Sequence, residues 1–261
     1  MLLVIALAGV ITVGCWVVSL VTRDTSQVDR MWSIAPPLYL WVFAAGAGLA
    51  DARLDLMAVL ATLWGARLTF NFARKGGYSG VEDYRWAVLR RAMAAWQFQL
   101  FNLFFIAIYQ NVLLVLITTP GWTALQHRAP LGPLDALLAV LFLGALVGET
   151  VADQQQWNFQ RQKRRSPDAS EGFLRTGMFR YSRHPNYFFE IVMWWLMFGF
   201  GAVAASSLLQ WSVVGAALLT VLFVGSTMMT ERISAGKYPL YAAYQAVTSP
   251  IVPWPPRSAR A

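Results

Sequence analysis

The chain has 261 residues, of which 57% are hydrophobic and 13% charged, with a mean hydropathy of +0.47 and a formal net charge of +8. Soluble domains carry about 25% charged residues, so this composition excludes a soluble globular protein and predicts an integral membrane protein. The single Cys and two His exclude an intrachain disulfide and a metal site built from the usual soft ligands.

Seven apolar segments, taken in chain order, each approach the roughly 20 residues that cross the hydrocarbon core of a bilayer. Because lipid cannot satisfy backbone hydrogen bonds, these segments should be helical. We therefore predict an all-α membrane protein, a bundle of seven transmembrane helices. The second segment is short and begins near Pro36-Pro37. The predicted spans are 2–22, 34–50, 55–73, 98–118, 134–155, 188–206 and 208–229.

Basic side chains concentrate after the odd-numbered spans, whereas the opposite loops hold only Arg53 and Arg128. The positive-inside rule then predicts an N-terminus outside and a C-terminus in the cytoplasm. No repeat or linker divides the chain, so we predict one domain over residues 1–261. The basic residues assigned to the cytoplasmic side are Arg23, Arg30, Arg74, Lys75, Arg85, Arg90, Arg91, Arg161, Lys163, Arg164, Arg165, Arg175, Arg180, Arg183, Arg232, Lys237, Arg257 and Arg260.

The one-sided positive charge indicates an anionic partner. Nucleic acid is not favoured, because no helix-turn-helix, zinc-finger or aromatic sheet pattern accompanies the basic residues. A polyanionic small molecule or anionic lipid headgroups fit better.

The first polar segment is SQVDRMWSIAPP, residues 26–37, in which Asp29 lies close to the start of the second span. One interpretation is structural, with Asp29 favoured by the helix dipole and Trp32 anchored at the membrane interface. A functional role for Asp29 is the alternative that stays open.

The second polar segment is WGARLTFNFARKGGYSGVEDYRWAVLRR, residues 64–91. Arg67, Asn71 and Arg74 are spaced to share one helical face, and Arg67 falls inside the membrane by these boundaries. An arginine in that position is costly without a partner, which makes it a functional candidate. The glycines after Lys75 end the helix, and an amphipathic interfacial helix is predicted from Glu82 to Arg91.

The third polar segment is ETVADQQQWNFQRQKRR, residues 149–165. Glu149, Asp153, Gln156 and Gln160 form a polar stripe on the cytoplasmic end of the fifth span. We expect Glu149 either to pair with a basic group such as Arg67 or to bind a ligand.

The fourth polar segment is RYSRHPNYFFE, residues 180–190, with a sequel in the tail, ERISAGKYPLYAAYQAVTSPIVPW, residues 231–254. His184-Pro185 predicts a turn that begins a helix, whose first N–H groups can face an anion. Asn186 and Glu190 are four residues apart and therefore share a face of the sixth span. A helix cap with basic anchors does not explain that pair.

These segments together resemble the C-terminal domain of the steroid 5α-reductase family, as it occurs in a large group of bacterial membrane proteins. The resemblance rests on SRHPNYFFE, on ER and KYPLYAAYQAVTSPIVPW in the tail, and on ADQQ and VEDYRW. It implies a seven-helix reductase of the bacterial inner membrane that takes hydride from NADPH at the cytoplasmic face. The substrate implied is a 3-oxo-4-ene steroid or a similar hydrophobic enone, reduced at its carbon–carbon double bond.

The residue types suit NADPH, whose phosphates attract Arg and Lys and whose nicotinamide and adenine need Tyr, Trp, Asn and carboxylates. No G-x-G-x-x-G follows a strand, so a Rossmann site is not predicted. By matching motif positions, Asp153, Tyr181, Asn186 and Glu190 resemble the cofactor contacts of the family. Arg183 and His184 occupy positions at which the eukaryotic members of the family have uncharged residues. They add a candidate phosphate contact. The full predicted cofactor set is Arg67, Asn71, Arg74, Arg85, Glu149, Asp153, Tyr181, Arg183, His184, Asn186, Glu190, Arg232, Lys237, Tyr241 and Tyr244.

The resemblance also implies two hydrogen-bond donors for the substrate ketone, a Glu on the second span and a Tyr on the third. Here the comparable regions contain Asp29, Arg30 or Trp32 and, on the third span, Trp64. We nominate as catalytic residues Asp29, if burial keeps it protonated, and Tyr84. Trp32 and Trp64 are predicted to contact a substrate that enters from the bilayer. Membrane lipids are the other expected partners, without nucleic acid, a metal or an obligate protein partner.

A second resemblance supports an alternative activity. RHPNY and the Tyr-x-x-Tyr tail are also similar to isoprenylcysteine-type membrane methyltransferases, which use S-adenosylmethionine. That group usually has two adjacent Glu after its last span, where this chain has Glu231-Arg232. A third, non-enzymatic alternative is a lipid-binding or assembly protein whose arginines contact headgroups.

Overall fold

The structure is a computed structural model and describes residues 1–165 and 172–257. Arg260, which contributes to the predicted cytoplasmic charge, lies outside the described residues. Within them the chain is helical, and β pairing is limited to one isolated parallel bridge between Ser182 and Ser249. The helices are α1 Leu2–Thr22, α2 Gln27–Trp32, α3 Ala35–Gly46, α4 Ala52–Arg74, α5 Tyr84–Ala92, α6 Ala95–Phe101, a π-helix Asn102–Tyr109, α7 Gln110–Leu116, α8 Thr119–Gln126, α9 Pro133–Arg165, a 3-10 helix Gly177–Arg180, α10 Pro185–Ala204, α11 Val213–Lys237 and α12 Tyr241–Val247.

Six helical stretches among the described residues are long and apolar enough to cross a membrane. Many of their apolar side chains are exposed, such as Leu2 and Val21 at the two ends of α1, as expected for surfaces that face lipid. The structure therefore supports an all-helical membrane protein. The six stretches are Leu2–Thr22, Ala52–Arg74, Ala95–Gln126, Pro133–Arg165, Pro185–Ala204 and Val213–Lys237.

The predicted second span, 34–50, is not among the six. It contains α3, a helix of 12 residues, which is about 18 Å long and therefore shorter than the roughly 30 Å hydrocarbon core. Beyond α3 the chain turns through Gly48 and Leu49, which both have positive φ. The predicted count of seven transmembrane helices is thus not confirmed.

The described chain divides into two compact units. Unit 1 comprises Met1–Val140 and Trp195–Leu218, and unit 2 comprises Leu141–Trp194 and Leu219–Ala261.

In unit 1, α3 packs mainly against α4, α8 packs against both, and α1 packs against the π-helix and α7. The core of the α3–α4 pair contains fully buried side chains, among them Tyr39, Phe43 and Trp64. Burial of these large side chains stabilises α3 although the helix is short.

A buried ion pair joins the start of α4 to the start of α9 in unit 1. Arg53 Nε lies 2.7 Å from Asp135 Oδ1, and Arg53 Nη2 lies 2.8 Å from Asp135 Oδ2. Gly132 N also donates to Asp135 Oδ2 at 2.8 Å, and Asp51 caps α4 by accepting from Arg53 N and Leu54 N. Because both ion-pair partners are almost fully buried, the bidentate geometry is what makes their desolvation tolerable.

Unit 2 is built on the second half of α9. A Cβ at Gly148 would lie 2.5 Å from the ring of Phe189, so α9 and α10 approach closely at this point. Further along α9, Gln155 Oε1 accepts from Met178 N at 2.9 Å and orders the loop before α10. The tail returns to the same loop, where Trp254 N donates to Tyr181 O at 2.9 Å.

Candidate functional site

Asn71 and Arg74 lie together at the end of α4 in unit 1. Arg74 Nε and Nη2 donate to Asn71 Oδ1 at 2.9 and 2.7 Å, and Asn71 is buried. Their predicted adjacency on one helical face is confirmed. Arg67, the third member of that predicted face, is half-buried one turn before Asn71. The two hydrogen bonds to the side-chain amide of Asn71 fix the direction of the Arg74 guanidinium.

Asp29 on α2 meets the next polar segment of unit 1. Its Oδ2 accepts from Trp86 Nε1 on α5 at 3.0 Å. Burial raises the pKa of the Asp29 carboxyl, and the nearby Asp83 carboxylate raises it further. The surroundings of Asp29 thus favour the protonated carboxyl group more than water does.

A set of hydrogen bonds holds α5 beside the loop that precedes α2. Thr25 N and Oγ1 donate to Glu82 Oε1 at 2.9 and 2.7 Å, and Asp83 N donates to Ser26 Oγ at 2.9 Å. Arg90 also donates to Glu82, at 2.5 Å from Nη2 to Oε1. Burial opposes ionisation, but Arg90 and Thr25 hold the pKa of Glu82 below its ordinary value. These contacts position Trp86, and through it Asp29.

The remaining predicted residues of unit 1 have different environments. Tyr84 is the first residue of α5 and is 52% exposed. Arg85, the second residue of α5, pairs with Asp83 at 2.8 Å. Trp64 is fully buried in α4, whereas Trp32 is half-buried at the end of α2.

Three carboxylic side chains are buried in the helices of unit 2. Glu149 and Asp153 on α9 and Glu190 on α10 are exposed by only 4%, 4% and 3%. Helices α9 and α10 approach each other at Gly148 and Phe189. Glu149 directly follows Gly148, and Glu190 directly follows Phe189. The two helices thus place carboxyl groups at the same level of unit 2.

The face of α10 that contains Glu190 also contains Asn186, as predicted from their spacing. Glu190 Oε1 accepts from Trp194 Nε1 at 3.1 Å, one turn further along. Asn186 is half-buried in the first turn of the helix. An amide and a carboxyl group therefore line one side of the first two turns of α10.

Arg183 forms a bidentate ion pair with Glu231 on α11. Nε lies 2.6 Å from Oε1, and Nη2 lies 2.8 Å from Oε2. Arg183 Nη1 donates to the carbonyl oxygens of Gln245 and Thr248 in the tail. The guanidinium donors are thus directed to neighbours within unit 2, so Arg183 joins the loop before α10 to α11 and α12.

The neighbour of Arg183 takes part in the same cluster. His184 Nε2 lies 3.3 Å from Glu231 Oε1, and Gln245 Nε2 donates to Glu231 Oε2 at 2.9 Å. The His184 ring stacks on Tyr187 with centroids 5.2 Å apart. Glu231 is therefore the common acceptor of this cluster, a role that the sequence alone did not assign to it.

Of the predicted tail residues, Tyr241 and Tyr244 are buried around Phe173, with ring centroids 5.1 and 5.4 Å from that ring. The Tyr244 hydroxyl donates to Phe179 O, and burial raises the pKa of this phenol. Tyr181 is 46% exposed. Arg232 and Lys237 are exposed on α11.

Two polar residues that the sequence analysis did not single out form a close contact in unit 2. Lys163 Nζ lies 2.8 Å from the hydroxyl oxygen of Tyr238. Lys163 belongs to a run of basic residues at the end of α9, and nothing in that run distinguishes it from its neighbours. The KYP tripeptide of the tail was the available signal for Tyr238.

The chain matches known sequences over most of its length. Residues 15–248 match the profile of a family described as "Protein of unknown function (DUF1295)". An uncharacterized protein of the fission yeast Schizosaccharomyces pombe is 41% identical over 250 residues, which covers 88% of this chain and 73% of the yeast protein. A comparison with solved structures found no match.

Proposed function

The chain belongs to the DUF1295 family, and we propose from its own residues that it is an NADPH-dependent membrane reductase. The reaction proposed is hydride transfer to the carbon–carbon double bond of a hydrophobic enone, a 3-oxo-4-ene steroid or a steroid-like lipid. The proposed location is the inner membrane of a bacterial cell, with the N-terminus outside and the cofactor on the cytoplasmic side. The positive-inside distribution of Arg and Lys supports this orientation.

The observation that carries the proposal is the burial of carboxyl groups on two apolar helices of unit 2. Glu149, Asp153 and Glu190 are each at least 96% buried, and an acidic side chain within a membrane helix is costly enough to be a functional candidate by default. Their acceptor oxygens match the ribose hydroxyls and the carboxamide N–H groups of a nicotinamide nucleotide. Asn186, on the same face of α10 as Glu190, supplies both a donor and an acceptor.

The phosphates of NADPH need fixed cations. In unit 1, the Arg74 guanidinium is held by two hydrogen bonds to buried Asn71, so little side-chain freedom remains to be lost when it contacts an anion. The end of α4 is thus a candidate for phosphate recognition.

Arg183 and His184 are assigned a positioning role in this proposal. Arg183 joins Glu231 and the tail to the loop that leads into α10. This loop ends at Pro185, where α10 begins, so its order sets the position of Asn186 in the first turn. These two residues of RHPNY thereby support the first turn of α10 through contacts within unit 2.

NADPH, when bound, supplies the hydride. As hydride arrives at the β-carbon of an enone, negative charge develops on the carbonyl oxygen and a proton is then taken up at the α-carbon. A neutral carboxyl group can donate a hydrogen bond to that oxygen and stabilise the charge. Asp29, with its raised pKa and its orientation by Trp86, is the group we propose for this role.

Cofactor titration of the purified, detergent-solubilised protein tests the proposal. NADPH, NADH and S-adenosylmethionine are titrated separately, with nicotinamide fluorescence or calorimetry as the readout. We expect NADPH to bind most tightly, and Asn186→Ala and Glu190→Gln each to weaken it about tenfold, the usual effect of one lost hydrogen bond to a polar ligand.

Thr150→Ala is the matched control. Thr150 lies on α9 between Glu149 and Asp153, but it is exposed and its hydroxyl donates to Leu146 O of its own helix. Binding of S-adenosylmethionine alone would support the methyltransferase alternative instead. NADPH affinity that is unchanged in both site variants would refute the assignment of the site to unit 2.

A further inference from the structure

Two lysines at the ends of two long helices converge on one tyrosine of unit 2. Lys163 is in the last turn of α9, and its Nζ lies 2.8 Å from the Tyr238 hydroxyl oxygen and 4.7 Å from the ring centroid. Lys237 is the last residue of α11, and its Nζ lies 5.4 Å from the same centroid. Both ammonium groups therefore face a single phenol.

The backbone at Gly172 holds the Tyr238 ring in place. Gly172 has φ +89°, and a Cβ there would lie 2.2 Å from Tyr238 Cε1, so the ring packs directly on the glycine. Phe173 also packs near the Tyr238 ring, with centroids 6.0 Å apart. Lys163 Nζ donates a second hydrogen bond to Gly172 O at 2.7 Å. The cluster is thus preorganised around fixed acceptors.

The helix dipole accounts for a basic residue at each helix C-terminus, but not for the convergence of two of them. Like charges that face one ring repel each other unless an anion lies near them. Among residues 1–165 and 172–257, the ion pairs do not include Lys163 or Lys237. Counted over the described residues alone, the cluster therefore has a surplus of positive charge.

The hydrogen-bond directions leave donors for a ligand. The Tyr238 oxygen accepts from Lys163, so the phenolic hydrogen is directed elsewhere. Burial opposes ionisation, yet Lys163 and then Lys237 lower the pKa of the Tyr238 phenol, which makes its O–H a stronger donor. Two ammonium groups and one polarised hydroxyl match the charge and the acceptor oxygens of a phosphate dianion.

We propose that Lys163, Lys237 and Tyr238 form a binding site for a phosphomonoester dianion. Two sources have this chemistry. One is the 2′-phosphate of NADPH, in which case the inference rests on the function proposed above. The other is the headgroup of a lipid with a terminal phosphate, which suits the position of both lysines at the ends of membrane-spanning helices.

The site itself is tested with inorganic phosphate, which is titrated against the purified protein at constant ionic strength and followed by thermal stability. Phosphate is expected to stabilise the wild type more than chloride does. Lys163→Met and Lys237→Met should each weaken phosphate binding about tenfold or more, and Tyr238→Phe by a smaller factor, because each removes one donor.

Arg164→Gln is the matched charge control. Arg164 is next to Lys163 and loses one positive charge in the variant, but its guanidinium lies over the Trp157 ring at 5.7 Å from the centroid. Its phosphate affinity should equal that of the wild type. Equal weakening in Arg164→Gln would show a nonspecific effect of net charge and overturn the site. If phosphate stabilises the wild type no more than chloride does, the site is overturned as well.

Two further arms identify the source. If the site holds the cofactor, the wild type prefers NADPH to NADH and Lys237→Met loses that preference. If it holds lipid, stabilisation by nanodiscs that contain phosphatidic acid exceeds that by nanodiscs that contain phosphatidylglycerol, again only with both lysines present.

The same measurements separate the anion site from the reductase. Binding of phosphate or phosphatidic acid without any NADPH binding would support the anion site and refute the reductase. NADPH binding that is indifferent to both lysines, together with no stabilisation by phosphate or phosphatidic acid, would support the reductase and refute the anion site.

Discussion

Arg183 and Glu231 are 48 residues apart in sequence and form a two-point ion pair, with N–O distances of 2.6 and 2.8 Å. The pair lies between the RHPNY loop and the last turns of α11. Both side chains are about nine-tenths buried, so each charge depends on the other for its solvation. The most characteristic motif of the sequence is thus anchored by an acid from a distant helix.

Glu231→Gln should destabilise the protein by about 3 kcal/mol, because it leaves the Arg183 guanidinium buried without a counter-charge. Unfolding of the solubilised protein by denaturant would measure the loss. In a double-mutant cycle, Arg183→Met combined with Glu231→Leu should be less destabilised than the sum of the single variants. Additive effects would mean that the ion pair contributes no coupling energy.

Gly148 and Gly144 provide a paired test of the contact between α9 and α10. A Cβ at Gly148 would overlap the Phe189 ring, whereas a Cβ at Gly144, one turn earlier, meets nothing within 4 Å. Gly148→Ala should therefore lose about 1–3 kcal/mol through overpacking. Gly144→Ala should be neutral or gain up to about 1 kcal/mol from helix propensity. Thermal unfolding of both variants distinguishes the two outcomes, and equal stabilities would contradict the close approach.

Asp29 should make stability depend on pH. Burial and Asp83 raise the pKa of Asp29 in the folded protein, so the folded state retains a proton that the unfolded state releases above about pH 4. Stability should fall as pH rises from that value to the raised pKa and then become constant. Asp29→Asn should remove this part of the pH dependence, as measured by the difference between the two stability profiles. Parallel profiles would show that Asp29 ionises with its ordinary pKa.

Tyr238 should ionise below the ordinary pKa of a tyrosine because Lys163 and Lys237 stabilise its phenolate. Alkaline titration of phenolate absorbance in the wild type minus that in Tyr238→Phe isolates this group. Lys163→Met should move the isolated transition to higher pH, and phosphate should also raise it, since a bound anion disfavours a second negative charge. A transition that does not respond to Lys163→Met would contradict the contact.

Hydropathy and spacing were sufficient for the membrane class and for the polar segments, because both are local properties of the chain. The polar stripe of α9 and the shared face of Asn71 and Arg74 follow from the helical repeat, and the structure retains both. The predicted span at 34–50 is not confirmed as a membrane-crossing helix, because the helix that it contains, α3, ends at Gly46 after 12 residues. An apolar composition indicates burial, but it does not distinguish a helix buried against α4 from one that crosses lipid.

The sequence by itself determined an all-helical membrane protein with four polar segments, since the period of a helix and the cost of polar groups in lipid can be read residue by residue. Only the tertiary structure decided which polar groups meet. In the folded protein Arg183 pairs with Glu231. Of the basic run at the end of α9, Lys163 contacts Tyr238, which is 75 residues away. Such pairings depend on where helices cross, and the crossing of α9 and α10 is set by a glycine and an aromatic ring that no local pattern connects.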